Sequence, residues 1–440
     1  MRKSLINGFS HSDILACVCP FYFLLTLKTN NSKMNLVVKR KWQNMRLVGT
    51  TVRGIRTPII KEGDDLANIV VNSLLEASKK EGFAFKDQDV VGITEAVVAI
   101  SEGNYVSVDD VATDISRKFP GGHIGLLFPT PVSRNRFAPY LKGTARSAKK
   151  IIMQFSFPAD EVGNQLFSEE LMDEHHINYN DVLLEADYSH YFKGVTHHFT
   201  GVDYVSYFRE LVEAENCEIE FIFANNPTEI LKYTEDILVL NVHRRERNKK
   251  LLLTAGAKTV YKLDEIMVES INGSGFNPKY GLLGSNRATE ERIKLFPKHG
   301  QPLVEKIQAM LKKTTGKTIE VLVYGDGAFK DPVGGIWELA DPVVSPAYTK
   351  GLEGTPNEIK LKYISDNKFP DLRGDALKEA IKAEIIAKAK DLKGQNASLG
   401  TTPRRLTDLI GSLCDLTSGS GDKGTPVIYI SGYFDNLADD

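Results

Sequence analysis

The chain has 440 residues, of which 42% are hydrophobic and 25% are charged, a composition typical of a globular protein long enough for two or three domains. Its formal net charge of −2 does not indicate a general nucleic-acid-binding protein. The four cysteines define no disulfide framework, so we expect a reducing, cytoplasmic compartment.

The N-terminal segment differs from the rest of the chain in charge and hydropathy. Residues 1–44 contain seven Lys or Arg and one Asp, and residues 14–27 (ILACVCPFYFLLTL) form an apolar run. This run is shorter than the ~20 residues that a transmembrane helix needs, and no small-x-small cleavage site follows it. We interpret residues 1–44 as an extraneous or disordered leader, with a weak membrane anchor or signal sequence as the alternative.

Residues 45–275 combine helix-like and strand-like patterns, and from residue 276 the chain becomes polar and glycine-rich. In residues 45–118, Asp64 is expected to cap a helix whose apolar face begins at Leu66. Strands are predicted at 89–93, 96–100, 123–128, 151–155, 182–186, 219–224, 237–242 and 259–263, with further helices at 204–215 and 244–255. This alternation is typical of an α/β fold, with some α+β mixing, in which helices cover a sheet.

The C-terminal part of the chain carries a glycine-rich loop between a helix predicted at 405–416 and a strand predicted at 426–431. Residues 417–425 (TSGSGDKGT) include three glycines and two serines. Successive backbone N–H groups of such a loop can cradle an anion, and Lys423 adds positive charge. A flexible connector is the alternative, since Gly- and Ser-rich runs are commonly linkers. A strand at 318–324 and helices at 302–313 and 374–393 complete this part.

Two further groups of residues have side chains suited to metal binding. Asp326 follows a strand-like run and is flanked by glycines, and its carboxylate suits Mg²⁺ or Mn²⁺. An ordinary Asp-Gly turn is the alternative. Residues 187–203 contain three histidines and two aspartates, of which Asp203 is the candidate of most interest. The histidine spacing matches no zinc motif, so these histidines are ordinary hydrogen-bonded or surface groups in the alternative interpretation.

Five segments resemble, in the same order, motifs of the γ-glutamyl ligases that add glutamate to the deazaflavin coenzyme F(420), the CofE-type family. Residues 57–67 (TPIIKEGDDLA) resemble its opening L-P-x-I-x-x-G-D-D-L-A, and residues 416–432 (LTSGSGDKGTPVIYISG) resemble its closing L-M-G-x-x-x-x-G-x-P-V-V-V-x-G. Residues 96–103, 201–203 and 315–326 are similar to its S-K-x-E-G-R, A-G-x-D and T-G-K, strand, D-T-x-G-R elements.

The resemblance implies an amide ligase that uses GTP or ATP to phosphorylate a small-molecule carboxylate, which then reacts with the amine of L-glutamate. The implied ligands of Mg²⁺ or Mn²⁺ are Asp203, Asp326 and Asp422. The residues implied to line the nucleotide are Thr57, Pro58, Ile59, Ile60, Glu95, Ala96, Ser418, Gly419, Ser420, Gly421, Asp422, Lys423, Gly424 and Thr425.

The same resemblance implies how the chain is organised. Residues 45–118 and 301–440 would form the two parts of a CofE-like ligase core, with residues 119–300 as an enlarged middle α/β domain. Because members of this family usually dimerise, the resemblance also implies a homodimer. Neither composition nor resemblance predicts a nucleic-acid or membrane partner, and we expect an acceptor other than the deazaflavin coenzyme.

Among the positions that depart from the family pattern, its Lys in S-K-x-E-G-R falls on Ile100, and its Arg falls on Asn104. Its D-T-x-G-R becomes residues 326–330 (DGAFK), and its acidic ligand in the closing loop falls on Ser420, with Asp422 as the nearest substitute. Because both cations would pair with phosphate, their replacement favours a second hypothesis, a non-catalytic nucleotide- or metabolite-binding protein that keeps the ligase fold. A third hypothesis is an unrelated enzyme whose site lies within residues 119–275, since α/β folds host many functions.

Overall fold

A computed structural model of the protein describes residues 47–128, 134–159, 165–197, 200–242, 244–325, 344–398, 404–418 and 422–439. In these ranges the strands are β1 (Thr51–Ile55), β2 (Val90–Thr94), β3 (Tyr105–Ser107), β4 (His123–Phe128), β5 (Lys150–Phe155), β6 (Leu183–Leu184), β7 (Glu218–Phe223), β8 (Asp236–Val239), β9 (Thr259–Lys262), β10 (Asn286–Arg287), β11 (Arg292–Lys294), β12 (Glu320–Gly325), β13 (Val344–Tyr348) and β14 (Val427–Ser431). The α-helices are α1 (Leu66–Glu81), α2 (Glu95–Glu102), α3 (Val108–Lys118), α4 (Arg134–Ser147), α5 (Glu169–Glu174), α6 (Glu185–Tyr191), α7 (Tyr204–Glu213), α8 (Arg245–Thr254), α9 (Gly300–Thr315), α10 (Leu361–Lys368), α11 (Gly374–Ala387) and α12 (Leu406–Ser418). The fold class is α/β, as predicted, and the predicted leader lies outside the described residues.

The first large sheet joins strands from the two ends of the sequence, in the order β1-β14-β2-β12-β13. Strand β14 is antiparallel to both β1 and β2, whereas β2 and β12 are parallel. Apolar side chains of α1 and α9 cover one face, and those of α12 cover the other. On the α12 side, Gly92 leaves room for Cys414, because a β-carbon at residue 92 would lie 2.4 Å from the Cys414 sulfur.

Residues 96–100 do not form the predicted strand, because they belong to helix α2. Thr94 is extended and ends β2, and the helix begins at the next residue. Gly103 has a φ of 65°, the left-handed conformation that closes a helix C-terminus, and its N–H donates to the carbonyl of Ile100 at 3.1 Å. A short apolar run fits a buried helix as well as a buried strand, so its hydrophobic pattern does not separate the two.

Aspartate side chains fix the starts of helices α1 and α6. The cap of α1 is Asp65 rather than Asp64, since the Asp65 carboxylate accepts an N–H group from the first turn at 3.3 Å. Helix α6 begins directly after Leu184, whose N–H donates to the Asp187 carboxylate at 2.9 Å. The strand predicted at residues 182–186 is therefore wrong in its second half.

The helix predicted at residues 374–393 ends earlier, at Ala387. Beyond it, the Asn357 amide donates to the carbonyls of Ala389 and Lys390 at 3.1 Å each and accepts from the N–H of Leu392 at 3.0 Å. One side chain thus satisfies backbone groups that a further helical turn would have used.

The second large sheet is built from one continuous part of the chain, in the order β6-β7-β5-β4-β8-β9. Strands β4, β5, β7, β8 and β9 are parallel, and β6 runs antiparallel to β7. Helices α3, α4 and α7 pack on one face, and α8 packs on the other. Numbered along the chain, the parallel strands lie in the order 3-2-1-4-5, so the direction of winding reverses between β4 and β8.

A third sheet of short strands has the order β10-β11-β3. Its strands come from the segments that directly precede and follow the six-stranded sheet in the sequence. Strand β3 follows α2 directly and pairs antiparallel with β11. Among the helices of the described residues, none combines the length and apolar character that crossing a membrane requires.

Candidate functional site

The five-stranded sheet brings the ends of three strands and the start of a fourth to one edge. Ile55 of β1 pairs with Val427 of β14, which pairs with Ile93 of β2. Ile93 pairs in turn with Val323 of β12. Because β14 runs opposite to the other three strands, the segments after β1, β2 and β12 and the segment before β14 all leave the sheet here. We call the residues directly beyond this row the convergent edge.

Residues 57–60 form one side of the convergent edge. The N–H of Thr57 donates to the carbonyl of Gly424 at 3.4 Å, so the segment after β1 touches the glycine-rich loop before β14. Ile60 is buried in the apolar cluster of the sheet, whereas Ile59 is 88% exposed. Small-molecule sites are lined mainly by apolar side chains, and Ile59 offers such a surface at this edge.

Hydrogen bonds hold both ends of the glycine-rich loop, residues 417–425, in place. The Thr425 hydroxyl donates to the carbonyl of Ser418 at 2.8 Å, which links the end of α12 to the start of β14. The N–H of Thr94 donates to the carbonyl of Pro426 at 3.0 Å. The loop therefore starts and ends at defined positions beside β2.

Glu95 and Gly325 meet where β2 and β12 end. A β-carbon at residue 325 would lie 2.2 Å from Cγ of Glu95, so Glu95 can occupy its position only beside a glycine. Tyr324 is 1% exposed, and burial raises the pKa of its phenol, which stays protonated at neutral pH. Ala96 follows Glu95 as the second residue of α2, whereas Asp326 lies outside the described residues.

The charged residues of the loop, Asp422 and Lys423, are exposed. Residues 419–421, which are Gly419, Ser420 and Gly421, lie outside the described residues. Within the ranges that the structure describes, no three His, Cys, Asp or Glu side chains are grouped so that they could hold a metal ion. The metal site that combines Asp422 with Asp326 and Asp203 stays a prediction.

Asp203 is the N-cap of α7, which packs on the six-stranded sheet. Its Oδ1 accepts from the N–H groups of Val205 at 3.1 Å and Ser206 at 3.2 Å, and its Oδ2 accepts from the Ser206 hydroxyl at 2.6 Å. These bonds account for the carboxylate without a metal, because aspartate is among the preferred N-cap residues.

The histidines near Asp203 have local roles. Nδ1 of His197 lies 3.3 Å from the N–H of Thr200 and 3.1 Å from its hydroxyl, in a turn before α7. His190 is exposed, and His198 lies outside the described residues. For His190 and His197 this is the surface or hydrogen-bonded role that the missing zinc spacing favours.

The two positions that replace family cations are structural here. Ile100 packs against the apolar cluster of the five-stranded sheet. Asn104 is 2% exposed, and its amide donates to the carbonyl of Phe296 at 3.0 Å and accepts from the N–H of Phe276 at 3.1 Å. A buried amide satisfied on both sides holds distant loops together and supplies no positive charge.

The sequence reasoning missed a polar cavity at the six-stranded sheet, lined by residues that include Gln154, Arg244 and Arg247. A signal was present, because Arg244 and Arg247 flank the start of a helix that follows a parallel strand. In parallel sheets, ligands commonly bind at the carboxyl ends of strands, near such helix starts.

The residues that match a known protein family include both large sheets. The model of the family described as F(420)-0:Gamma-glutamyl ligase matches residues 54–432. A comparison with individually curated proteins gave no match. Because the family match extends over most of the chain and includes the segments that meet at the convergent edge, the protein belongs to the F(420)-0:gamma-glutamyl ligase family, a family of ligases.

Proposed function

We propose that the protein is a nucleotide- and metal-dependent amide ligase that forms a γ-glutamyl-type bond through an acyl phosphate. The observation that carries the proposal is the contact of Thr57 with Gly424, since it joins the family's opening and closing motifs, which lie at opposite ends of the sequence. The close approach of Glu95 to Gly325 adds a second pair of remote segments at the same edge.

The reaction has two steps. An oxygen of the acceptor carboxylate attacks the γ-phosphorus of GTP or ATP, the bond from that phosphorus to the bridging oxygen breaks, and nucleoside diphosphate leaves. The amine of L-glutamate then attacks the acyl carbon and loses a proton, an amide bond forms, and inorganic phosphate leaves. Neither step needs a protein nucleophile, so the protein contributes positioning and charge.

Residues of the convergent edge would supply the positioning. Residues 57–60 and 95–96 would line the nucleotide, with the exposed Ile59 side chain against its base. Residues 418–425 would present backbone N–H groups to the phosphates, and Lys423 would add positive charge.

A divalent cation, Mg²⁺ or Mn²⁺, fits the donor chemistry of this edge. Asp422 is an exposed carboxylate in the loop, and Asp326 follows Gly325 in the sequence. Hard oxygen donors of this kind would hold the cation. When bound, the cation would offset the charge of the phosphates.

The test is a coupled assay on the full-length protein with Mn²⁺, GTP or ATP, L-glutamate and a panel of small carboxylic acids that includes the deazaflavin acceptor. We expect phosphate release that requires both L-glutamate and an acceptor, and a product whose mass has risen by one glutamyl residue. Asp326→Ala should abolish the release. Asp371→Ala, which removes an exposed carboxylate from helix-flanking surface, should not change it. No release with any acceptor, or full activity of Asp326→Ala, would count against the proposal.

A second candidate function is non-catalytic binding of a nucleotide, and the structural roles of Ile100 and Asn104 favour it. In that case GTP or ATP would raise the melting temperature without any turnover. The absence of a thermal shift with either nucleotide would exclude this alternative. We also expect a homodimer in solution, which sedimentation can measure.

A further inference from the structure

A cavity of about 430 Å³ opens at the carboxyl ends of the parallel strands in the six-stranded sheet. It lies where the winding reverses, because its lining includes Leu127 and Phe128 at the end of β4 and Asn241 just after β8. Ser156 and Asn225, which follow β5 and β7, also line it. Ligands of open parallel sheets bind at this reversal point, and the volume is within the range of small-molecule sites.

The cavity is lined by a buried amide that has an unused acceptor. Gln154 of β5 is 1% exposed, and its Nε2 donates to the carbonyls of Ala224 at 2.9 Å and Asn226 at 2.8 Å. Within the described residues, its Oε1 has no hydrogen-bond partner. Since buried polar atoms are usually paired, this unpaired oxygen marks the wall of the cavity as a place where the polar groups of the fold are not fully satisfied.

Positive charge lines the same cavity at the start of α8. Arg244 and Arg247 are both exposed there. The Arg247 guanidinium donates to the Asn248 side chain at 3.3 Å, and Asn248 donates to the Asn241 side chain at 2.9 Å. Arg247 makes no ion pair with any residue that the structure describes. The N-terminus of α8 adds a partial positive charge.

The charged side chains that line the cavity favour an anionic ligand. Among the described lining residues there are two arginines and one acid, Glu169, which accepts from the Tyr179 hydroxyl at 2.8 Å. Guanidinium groups match the planar oxygens of carboxylate and the oxygens of phosphate. Phe157 and Pro158 supply apolar surface for the organic part of a ligand.

We propose that this cavity binds a small organic anion, whose phosphate or carboxylate group contacts Arg244 and Arg247. The cavity is distinct from the convergent edge, because none of its lining residues belongs to the five-stranded sheet. The proposal therefore stands or falls independently of the ligase reaction.

The test is calorimetric titration of the full-length protein with AMP, citrate and inorganic phosphate. We expect at least one probe to bind, and its identity tells a phosphate ligand from a carboxylate ligand. Arg247→Gln should weaken that binding by about tenfold or more, the scale of a lost charge-assisted contact. Lys250→Gln is the matched control, since it removes an exposed cation of the same helix that does not line the cavity, and it should change affinity by less than about twofold.

Three results would overturn the proposal. The first is that none of the three probes binds, and the second is that Arg247→Gln binds its probe as tightly as the wild type does. The third is an equal loss in Lys250→Gln, which would mean that the effect is general electrostatic attraction rather than a site. Because Arg247 is exposed, we expect its replacement to leave the folded state intact, and circular dichroism of both variants checks this.

Discussion

The two large sheets present their strand ends to solvent in different ways. The five-stranded sheet takes strands from both ends of the sequence, so its convergent edge joins motifs that are far apart in the chain. The six-stranded sheet takes its strands from one continuous segment, and its cavity lies at the point where the winding reverses. Family motifs mark the first edge, whereas topology and an unpaired buried oxygen mark the second.

The difference also lies in how tightly each edge is packed. At the convergent edge and in the sheet behind it, glycines at residues 92 and 325 leave no space for a β-carbon. Around the cavity, exposed arginines decide the chemistry. Substitutions in the first region should therefore affect packing and geometry, and those in the second should affect binding alone.

Gly325→Ala should have the largest effect among the three substitutions that contrast the packing of the two regions. The new β-carbon would overlap Glu95 and displace it from the convergent edge. We expect the glutamate-dependent phosphate release proposed above to fall about 100-fold, the scale for a misplacement of about 1 Å. Gly121→Ala is the control before β4, because its β-carbon would lie 3.7 Å from its nearest neighbour. Unchanged release by Gly325→Ala would show that the position of Glu95 is not needed.

Gly92→Ala tests the packing behind the convergent edge. We expect the free energy of unfolding to fall by about 1–3 kcal/mol, the usual cost of overpacking a core. Because the clash is with the Cys414 sulfur, the double variant Gly92→Ala/Cys414→Ala should recover part of that loss. Urea unfolding of the wild type, both single variants and the double variant measures whether the two substitutions interact. Strictly additive losses in the free energy of unfolding would show that the Cys414 sulfur is not the cause of the clash.

Glu291→Gln should have the smallest effect, since it probes an exposed carboxylate between β10 and β11 that pairs with Arg146 of α4. Hydrogen bonds from Arg146, and then from Lys142, lower the pKa of Glu291 below its ordinary value of 4.5. The ionised form thus favours the folded state, so its stabilisation is present above pH 4.5 and is lost as the pH falls through the lowered folded-state pKa. The side chain is 52% exposed, so we expect a loss of about 0.2–1 kcal/mol at pH 7.

Chemical unfolding as a function of pH checks this last prediction. The curves of the wild type and of Glu291→Gln should converge in acid. Glu353→Gln, at an exposed position, should follow the wild type at every pH. A gap between Glu291→Gln and the wild type that persists in acid would point to a packing effect instead of charge.

Much of the fold could be predicted because buried strands have a clear apolar pattern. The strand predicted at residues 123–128 is β4, and residues 259–263 differ from β9 by one residue. The run at residues 96–100 could not be assigned, since apolar residues alone suit either a helix or a strand. Helix ends also depended on remote side chains, as with Asn357 beyond α11.

The family motifs in the sequence predicted which segments lie together at the candidate site, but not the role of every residue in them. Residues 57–60, 95–96, 418 and 422–425 lie at one edge, as the family resemblance implies, while their nucleotide role stays a prediction. The resemblance around Asp203 could not separate a metal ligand from a helix cap, because aspartate suits both. The cavity could not be predicted at all, since the unpaired oxygen of Gln154 depends on carbonyls from another strand end.

The proposed ligase reaction requires that the convergent edge holds the nucleotide. Crystals of the full-length protein soaked with Mn²⁺ and a non-hydrolysable GTP analogue test it most directly. We expect triphosphate density beside Thr57 and Gly424, with the manganese signal at Asp422 or Asp326. Nucleotide density confined to the cavity at Arg247, or found at neither place, would contradict it.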